Sequence, residues 1–121
     1  MDKSEKIRLF SIVGHGICID SEDGERVYDL ILEALREGKN IEISFDGVED
    51  ITSLFLNAAI GQLYDPRLGF SEELKNRLSV ADISPQDSLI LKHSVDRAKE
   101  YYKNPERFHS ATDEILGDDD E

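Results

Sequence analysis

Residues 40–64 constrain the fold of this chain more than any other part of its sequence. Polar and apolar side chains alternate over residues 40–45, with Ile41, Ile43 and Phe45 on one side. An alternation with a period of two is typical of a strand that buries one face. We therefore expect a half-buried strand at the start of this segment.

A helix is predicted directly after that strand. The residues that interrupt the strand are acidic or glycine: Asp46, Gly47, Glu49 and Asp50. Thr52 or Ser53 can then cap a helix, because their hydroxyls accept hydrogen bonds from free backbone amides. The helix that follows is apolar on nearly every side: Leu54, Phe55, Leu56, Ala58, Ala59, Ile60 and Leu63. Such a helix is expected to be buried in the protein or covered by a partner.

Two short strands are predicted near the N-terminus. Residues 7–13 and 17–19 are rich in branched and aromatic side chains, which favour strands. Gly14 and Gly16 lie on either side of His15 and favour a tight turn. The expected arrangement is a pair of strands joined by that turn.

A long helix is predicted between the two strand regions. Ser21 is a suitable N-cap, and Gly38 supplies a C-terminal stop. Apolar residues recur between them at helical spacing: Val27, Leu30, Ile31, Ala34 and Leu35. This helix should therefore pack one face on the sheet.

The remaining elements follow Pro66, which ends the apolar helix. Residues 71–78 predict a short polar helix and residues 78–83 a further strand. Ser84 and Pro85 predict a helix start, because proline at the first helical position loses no needed hydrogen bond. The inner face of this last helix is expected to carry Leu91, Val95, Ala98 and Tyr102, with a stop at Asn104 and Pro105.

The order of elements predicts an α/β fold, in which a mixed sheet of about four strands is covered by helices. A chain of 121 residues has room for one core, so a single domain over residues 1–105 is expected. Residues 106–121 are polar and end in Asp118, Asp119, Asp120 and Glu121. Like charges in a run cannot be buried together, which predicts a disordered acidic tail.

The charge of the chain excludes several kinds of partner. The sequence has 27 acidic and 14 basic residues and a net charge of −13, which repels nucleic acids and anionic membrane surfaces. Cys18 is the only cysteine, so no internal disulfide can form. No secretory leader or membrane-spanning segment is apparent. We expect a soluble cytoplasmic protein.

The sequence carries none of the common catalytic or nucleotide-binding motifs. Asp46, Glu49 and Asp50 could hold a cation or perform acid–base chemistry, but acidic residues before a helix more often complement its dipole. His15 is better explained as part of a turn. The expectation is a non-enzymatic protein without a metal site or cofactor.

The sequence GVEDITSLFLNAAIGQLY, residues 47–64, resembles the core signature of STAS and STAS-like domains. The match extends to Val27 and Tyr28, to the pair Tyr101 and Tyr102, and to the NP at residues 104–105. The chain is similar to an uncharacterised bacterial STAS-like family related to anti-sigma factor antagonists. This resemblance implies the STAS-like form of the α/β fold, a mixed sheet with helices packed on it.

The resemblance also implies a regulatory site in the turn before the second helix. Anti-sigma factor antagonists are phosphorylated there on a serine, by a partner kinase related to histidine-kinase ATPases. Leu54 stands where that serine normally lies, while Thr52 replaces an aspartate and Phe55 a glycine. Ser53 and Thr52 are then the remaining candidate phosphoacceptors.

The leading hypothesis is a regulatory protein–protein interaction module that controls an ATPase of the histidine-kinase type. Its expected partner-binding residues are Asp46, Gly47, Glu49, Asp50, Thr52, Ser53, Leu54, Phe55 and Asn57. The alternative is an acidic inhibitor or DNA mimic that binds a basic partner surface. A small-molecule sensor or an enzyme ranks last, and a homodimer through the apolar helix stays open.

Overall fold

The structure, a computed structural model, describes residues 3–103. Its strands are β1 (Ser4–Arg8), β2 (Ile17–Cys18), β3 (Asn40–Ser44), β4 (Asp50–Ile51) and β5 (Leu78–Ala81). Its helices are α1 (Leu9–Val13), α2 (Ser21–Arg36), α3 (Ser53–Ala59), α4 (Leu74–Arg77) and α5 (Pro85–Lys103), with 3-10 turns at Gly61–Tyr64 and Pro66–Leu68. The predicted acidic tail, and the predicted helix stop at residues 104–105, lie outside the described residues.

Two small parallel sheets form the framework. One has the order β1-β3-β5, with Ile7 beside Ile43 and Ile43 beside Val80. The other pairs β2 with β4, so that Cys18 lies beside Ile51. The predicted α/β class with helices packed on strands is confirmed, and every strand pairing in the described part of the chain is parallel.

The central sheet has one buried and one polar face. Ile7, Ile41 and Ile43 project into the core, where α2 packs against both β3 and α3. On the opposite face Lys6 and Glu42 form an exposed ion pair at 3.7 Å. Parallel sheets are usually covered on both sides, so this polar face is the less common arrangement. The apolar core, which includes α3, therefore packs on the face of the sheet that carries Ile7, Ile41 and Ile43.

The prediction of a strand over residues 7–13 is wrong for most of that segment. The strand occupies Ser4–Arg8, and the chain then forms the short helix α1. Leu9 and Val13 are both buried and lie four residues apart, which is a helical spacing. Gly14 ends the helix in the left-handed conformation, with φ of 94°. The β2 strand consequently pairs with β4 and not with the segment before the turn.

The predicted long helices are confirmed with small shifts at their ends. The N-cap of α2 is Asp20, one residue before the predicted Ser21, and its carboxylate accepts a hydrogen bond from the Asp23 amide at 2.9 Å. The α5 helix begins at Pro85 as predicted, after Ser84. Of the polar helix predicted over residues 71–78, only Leu74–Arg77 is helical. No helix within residues 3–103 is long and apolar enough to cross a membrane.

Candidate functional site

The turn after β3 is fixed by contacts to the end of β1 and the start of α1. Gly47 has φ of 85°, and a Cβ atom there would lie 2.9 Å from the Phe10 ring. The Arg8 guanidinium stacks over that ring, 5.1 Å from its centroid, and pairs with the Asp46 carboxylate at 3.1 Å. Only glycine combines this backbone conformation with the close approach of Phe10. Asp46 and Gly47 therefore hold the turn in place.

The other two acidic residues before α3 bind the loop that precedes β2. The backbone amides of Glu49 and Asp50 both donate to the carbonyl oxygen of Gly16, at 2.8 and 3.2 Å. Their side chains are exposed. Nowhere in residues 3–103 do three or more His, Cys, Asp or Glu side chains converge as metal ligands. The acidic residues thus form an exposed negative border to the turn.

Thr52 is the N-cap of α3. Its hydroxyl accepts a hydrogen bond from the Phe55 amide at 3.2 Å and donates one to the Ile19 carbonyl at 2.7 Å. The Thr52 amide in turn donates to the Cys18 carbonyl at 3.2 Å. Of the two predicted caps, the structure therefore selects Thr52, which also joins the end of β2 to the start of α3.

Three exposed apolar side chains lie on the two segments that this junction joins. Leu54, in the first turn of α3, is 58% exposed, and Ile17 and Ile19 at β2 are 37% and 42% exposed. The hydrogen bond from Thr52 to Ile19 brings the two backbone segments together. We call Ile17, Ile19, Ser53 and Leu54 the β2–α3 face. The sequence predicted a short strand over residues 17–19 but gave no indication that Ile17 and Ile19 would be exposed beside the turn.

The inner side of α3 is covered within the chain. Phe55, Leu56, Ala58 and Ala59 are buried against α2 and α5. Gly24 of α2 permits this packing, because a Cβ atom there would lie 2.8 Å from the Ala58 methyl group. The prediction that Phe55 contacts a partner is therefore wrong, since its side chain is fully buried. Ser53, Leu54 and Asn57 form the outer side of the helix.

Comparisons with known proteins identify the family. A family model described as a STAS-like domain of unknown function (DUF4325) matches residues 23–88, more than half of the chain. The chain belongs to this STAS-like family. Searches of curated proteins and of solved structures found no match. STAS-like domains are generally non-enzymatic, and membership points to a regulatory or interaction module.

The matched part of the STAS-like domain contains the turn and α3. It begins in the first turn of α2 and ends in the first turn of α5, so Leu54 and its neighbours lie near its centre. The resemblance deduced from residues 47–64 is thereby confirmed at the level of the family. The roles of the individual turn residues are not described by the family model and stay predictions.

Two residues near the β2–α3 face have structural explanations. His15 Nδ1 accepts a hydrogen bond from the Ile17 amide at 3.0 Å, in agreement with its interpretation as a turn residue. Cys18 is fully buried in the STAS-like domain. Burial, followed by the negative charges of Asp23 and Asp87, raises the pKa of its thiol from 9.0 to about 11. The thiol is therefore neutral and unreactive at physiological pH.

A cleft of about 300 Å³ lies on the other side of Asn57, between the end of α3 and the second half of α5. Tyr101 and Tyr102 border it with their rings edge to face, 4.9 Å between centroids. The sequence placed Tyr102 on the inner face of this helix, and in the structure Tyr102 is half-buried while Tyr101 is exposed. Arg97 lies one turn before Tyr101, and this spacing places both side chains on one face of the helix. It is the sequence feature that could have indicated the cleft.

Proposed function

We propose that this STAS-like domain is a non-enzymatic cytoplasmic regulator that binds a protein partner through the β2–α3 face. The observation that carries the proposal is the exposed Leu54 at the centre of the family signature. Most of the apolar surface of α3 is covered by α2 and α5, yet this leucine faces solvent. Ile19, which is joined to the N-cap of the same helix through the Thr52 hydroxyl, is exposed as well. A cluster of exposed apolar side chains with a polar border is typical of an interaction site.

The border of the face is acidic. Asp46, Glu49 and Asp50 lie before the turn with exposed side chains, and Asn57 lies one turn after Leu54 on α3. Polar borders around an apolar centre contribute to the specificity and rate of association more than to affinity. A partner that fits this surface has an apolar pocket with basic residues around it.

An ATPase related to histidine kinases is the partner class that the STAS resemblance supports. Ser53 is the better candidate phosphoacceptor, because its side chain is exposed at the first position of α3. Thr52 is less suitable, since both hydrogen-bonding functions of its hydroxyl are used within the fold. A phosphate on Ser53 would add a charge of about −1.5 to −2 beside Leu54 and oppose apolar contact there.

The alternative function, an acidic inhibitor or DNA mimic, is favoured by the net charge of −13. Such a protein would bind a basic surface through distributed charges, so its affinity would fall steeply with salt concentration. It would not depend on the apolar side chains of the β2–α3 face.

The test is capture of partners from the native host by the tagged full chain at low and at moderate salt. We expect Leu54→Ser to lose an ATPase-type partner that the wild type retains at moderate salt. Leu30→Ser, which changes an exposed leucine of α2 outside the face, should retain it. Equal capture by both variants would remove the β2–α3 face from consideration. Loss of every partner at moderate salt, whatever the variant, would favour the acidic mimic.

A second pair of variants addresses phosphorylation in the same capture experiment. Ser53→Asp should weaken partner binding, because it places a negative charge beside Leu54, whereas Ser53→Ala should leave binding intact. If Ser53→Asp binds as the wild type does, the face is not sensitive to charge at this position, and regulation by phosphate at Ser53 is ruled out.

A further inference from the structure

The strand β5 lies at one edge of the central sheet. The sheet has the order β1-β3-β5, and within residues 3–103 no further strand pairs with β5. Ser79 and Val80 follow each other in this strand, so their side chains point to opposite faces of the sheet. Both side chains are exposed. The middle of β5 is therefore open to solvent on both faces.

The apolar core ends before it reaches this edge. Ile7, Ile43 and Val80 form one row across the three strands, on the face that carries the core. The exposed fraction is 4% for Ile7 and 0% for Ile43 but 39% for Val80. Covering the remaining apolar surface of Val80 would be favourable. An additional strand beside β5 would extend the row and bury this valine.

The backbone of β5 presents hydrogen-bonding groups to the outside. The Phe45 amide donates to the Ala81 carbonyl at 2.9 Å, so the backbone groups of Ala81 face β3. Because these groups alternate in direction along a strand, those of Leu78 and Val80 face away from β3. The Leu78 amide already donates to the Leu74 carbonyl at the end of α4. Val80 is thus the residue at which another strand can both donate and accept.

The two edges of the sheet differ in composition. The strand at the other edge, β1, contains Glu5, Lys6 and Arg8, each of which forms an ion pair. Charged side chains on an edge strand discourage pairing with a further strand. The sequence of β5 is LSVA, with neither a charged residue nor a proline. It is therefore the edge that lacks this protection.

The charges at the two ends of β5 favour a second copy of the same chain as the added strand. Lys75 and Arg77 precede β5, and Asp82 follows it. When two copies of a strand pair antiparallel, the residues before the strand in one copy lie beside the residues after it in the other. Opposite charges are then neighbours at both ends of the pair. A two-fold axis makes the two ends equivalent, as in most homodimers.

We propose that this protein forms a homodimer by antiparallel pairing of β5 with β5 of a second copy, with Val80 on the two-fold axis. The two Val80 residues exchange a pair of backbone hydrogen bonds, which places their Cα atoms about 5.5 Å apart. Their side chains meet on the apolar face, and the pairing joins two three-stranded sheets into one. No residue of the β2–α3 face takes part, so the dimer does not depend on the proposed function.

Sedimentation of the full chain at moderate salt tests the dimer, because salt screens the repulsion between two copies of net charge −13. We expect about twice the mass of the 13.7 kDa chain, with dissociation on dilution. Val80→Lys and Val80→Glu should each be monomeric alone, since two like charges would meet on the axis. An equimolar mixture of these two variants should recover the dimer. Leu30→Lys is the matched control, because Leu30 of α2 is 36% exposed, and it should remain dimeric.

Disulfide formation tests the register of the two strands. In a Cys18→Ala background, Val80→Cys should form a cross-linked dimer under mild oxidation. A Cα separation of about 5.5 Å lies within the range that a disulfide requires. Leu30→Cys in the same background should stay uncrosslinked.

The proposal is overturned if the wild type remains monomeric up to its solubility limit, or if the dimer persists in Val80→Lys. A dimer that Leu54→Ser dissociates and Val80→Lys does not would instead place the contact on the β2–α3 face. Circular dichroism verifies that each variant is folded. If Val80→Lys is unfolded, the cross-linking experiment decides, and failure of Val80→Cys to cross-link counts against the pairing.

Discussion

The Ser44 hydroxyl donates a hydrogen bond of 2.8 Å to the Asp82 carboxylate and so joins the ends of β3 and β5. Ser44 is almost fully buried, and its oxygen also accepts a hydrogen bond from the Asp46 amide at 3.2 Å. Among the described residues, Asp82 is the one non-glycine residue with positive φ, at 58°. A short polar side chain tolerates this conformation when it forms local hydrogen bonds. The pair therefore connects the edge strand to the turn before the candidate site.

Replacing Ser44 with alanine should lower the free energy of unfolding by about 1–3 kcal/mol, because the variant loses a hydrogen bond to a charged carboxylate and the bond to the Asp46 amide. The matched control is Ser79→Ala, whose exposed hydroxyl reaches the Ile41 carbonyl only at 3.5 Å. We expect that control to change stability by less than about 0.5 kcal/mol. Urea unfolding measures both values. Similar losses in the two variants would show that the Ser44–Asp82 contact contributes little.

Gly47→Ala should destabilise the fold more than Gly38→Ala does. Both glycines have positive φ, at 85° and 79°, so both variants incur a similar conformational cost of about 1 kcal/mol. At Gly38 a Cβ atom meets nothing within 4 Å, whereas at Gly47 it meets the Phe10 ring. The difference between the urea unfolding midpoints of the two variants measures the destabilisation caused by the close contact with Phe10. Equal midpoints would mean that Phe10 moves aside without cost.

Thr52→Ala should cost about 0.5–2 kcal/mol, the usual loss for removing a helix N-cap. Thr52→Ser should restore most of this stability, because the serine hydroxyl can form the same bonds to the Phe55 amide and the Ile19 carbonyl. Ser53→Ala is the neighbouring control and should be close to neutral. Thermal unfolding compares the three variants. If Ser53→Ala proves the more damaging change, the cap has been assigned to the wrong hydroxyl.

The buried thiol of Cys18 should make the fold less stable at alkaline pH. Its pKa is raised from 9.0 to about 11, chiefly by burial. Between these values the unfolded chain releases the proton and the folded chain retains it, so stability falls as pH rises from 9 to 11. The loss is on the order of 1–3 kcal/mol. Cys18→Ala isolates it, because burial also raises the pKa values of Tyr28, Tyr64 and Tyr102 in both proteins.

If wild type and Cys18→Ala lose stability in parallel over that pH range, the thiol is not the group responsible. A direct measurement is available as well. Reaction of the thiol with a disulfide reagent should be slow in the folded protein and fast in denaturant. Fast reaction without denaturant would contradict the burial of Cys18.

The α/β class, α2, β3, α3 and α5 could be predicted from the sequence because each has a strong local pattern. In α2 the apolar spacing and Gly38 define the helix with little dependence on the rest of the fold. The strand prediction for Leu9–Val13 was wrong because branched and aromatic residues favour a strand locally. The segment is helical because a helix buries Leu9 and Val13 on the same side. The conformation of this segment therefore depends on tertiary packing, which cannot be read from local propensity.

The candidate site was only partly predictable for a similar reason. The turn and its cap follow from local hydrogen bonding, and the sequence located both. The exposure of Leu54 and the burial of Phe55 depend on how α2 and α5 cover α3. Because both residues are large and apolar, the sequence does not show which of them is buried. The exposure of Ile17 and Ile19 depends on the parallel pairing of β2 with β4, which joins segments far apart in the chain.

The parallel pairings also determine the order in which this domain can form. Ser4 pairs with Asn40, Ile41 with Leu78 and Ile17 with Asp50, so at least one helix separates every pair of partnered strands in the described chain. No hairpin is available as a local nucleus, and each strand pairing must first close a long loop. During synthesis β1 would leave the ribosome well before β3 and β5. The domain should therefore fold only after β5 has emerged, with the early helix α2 as the first structure available to guide it.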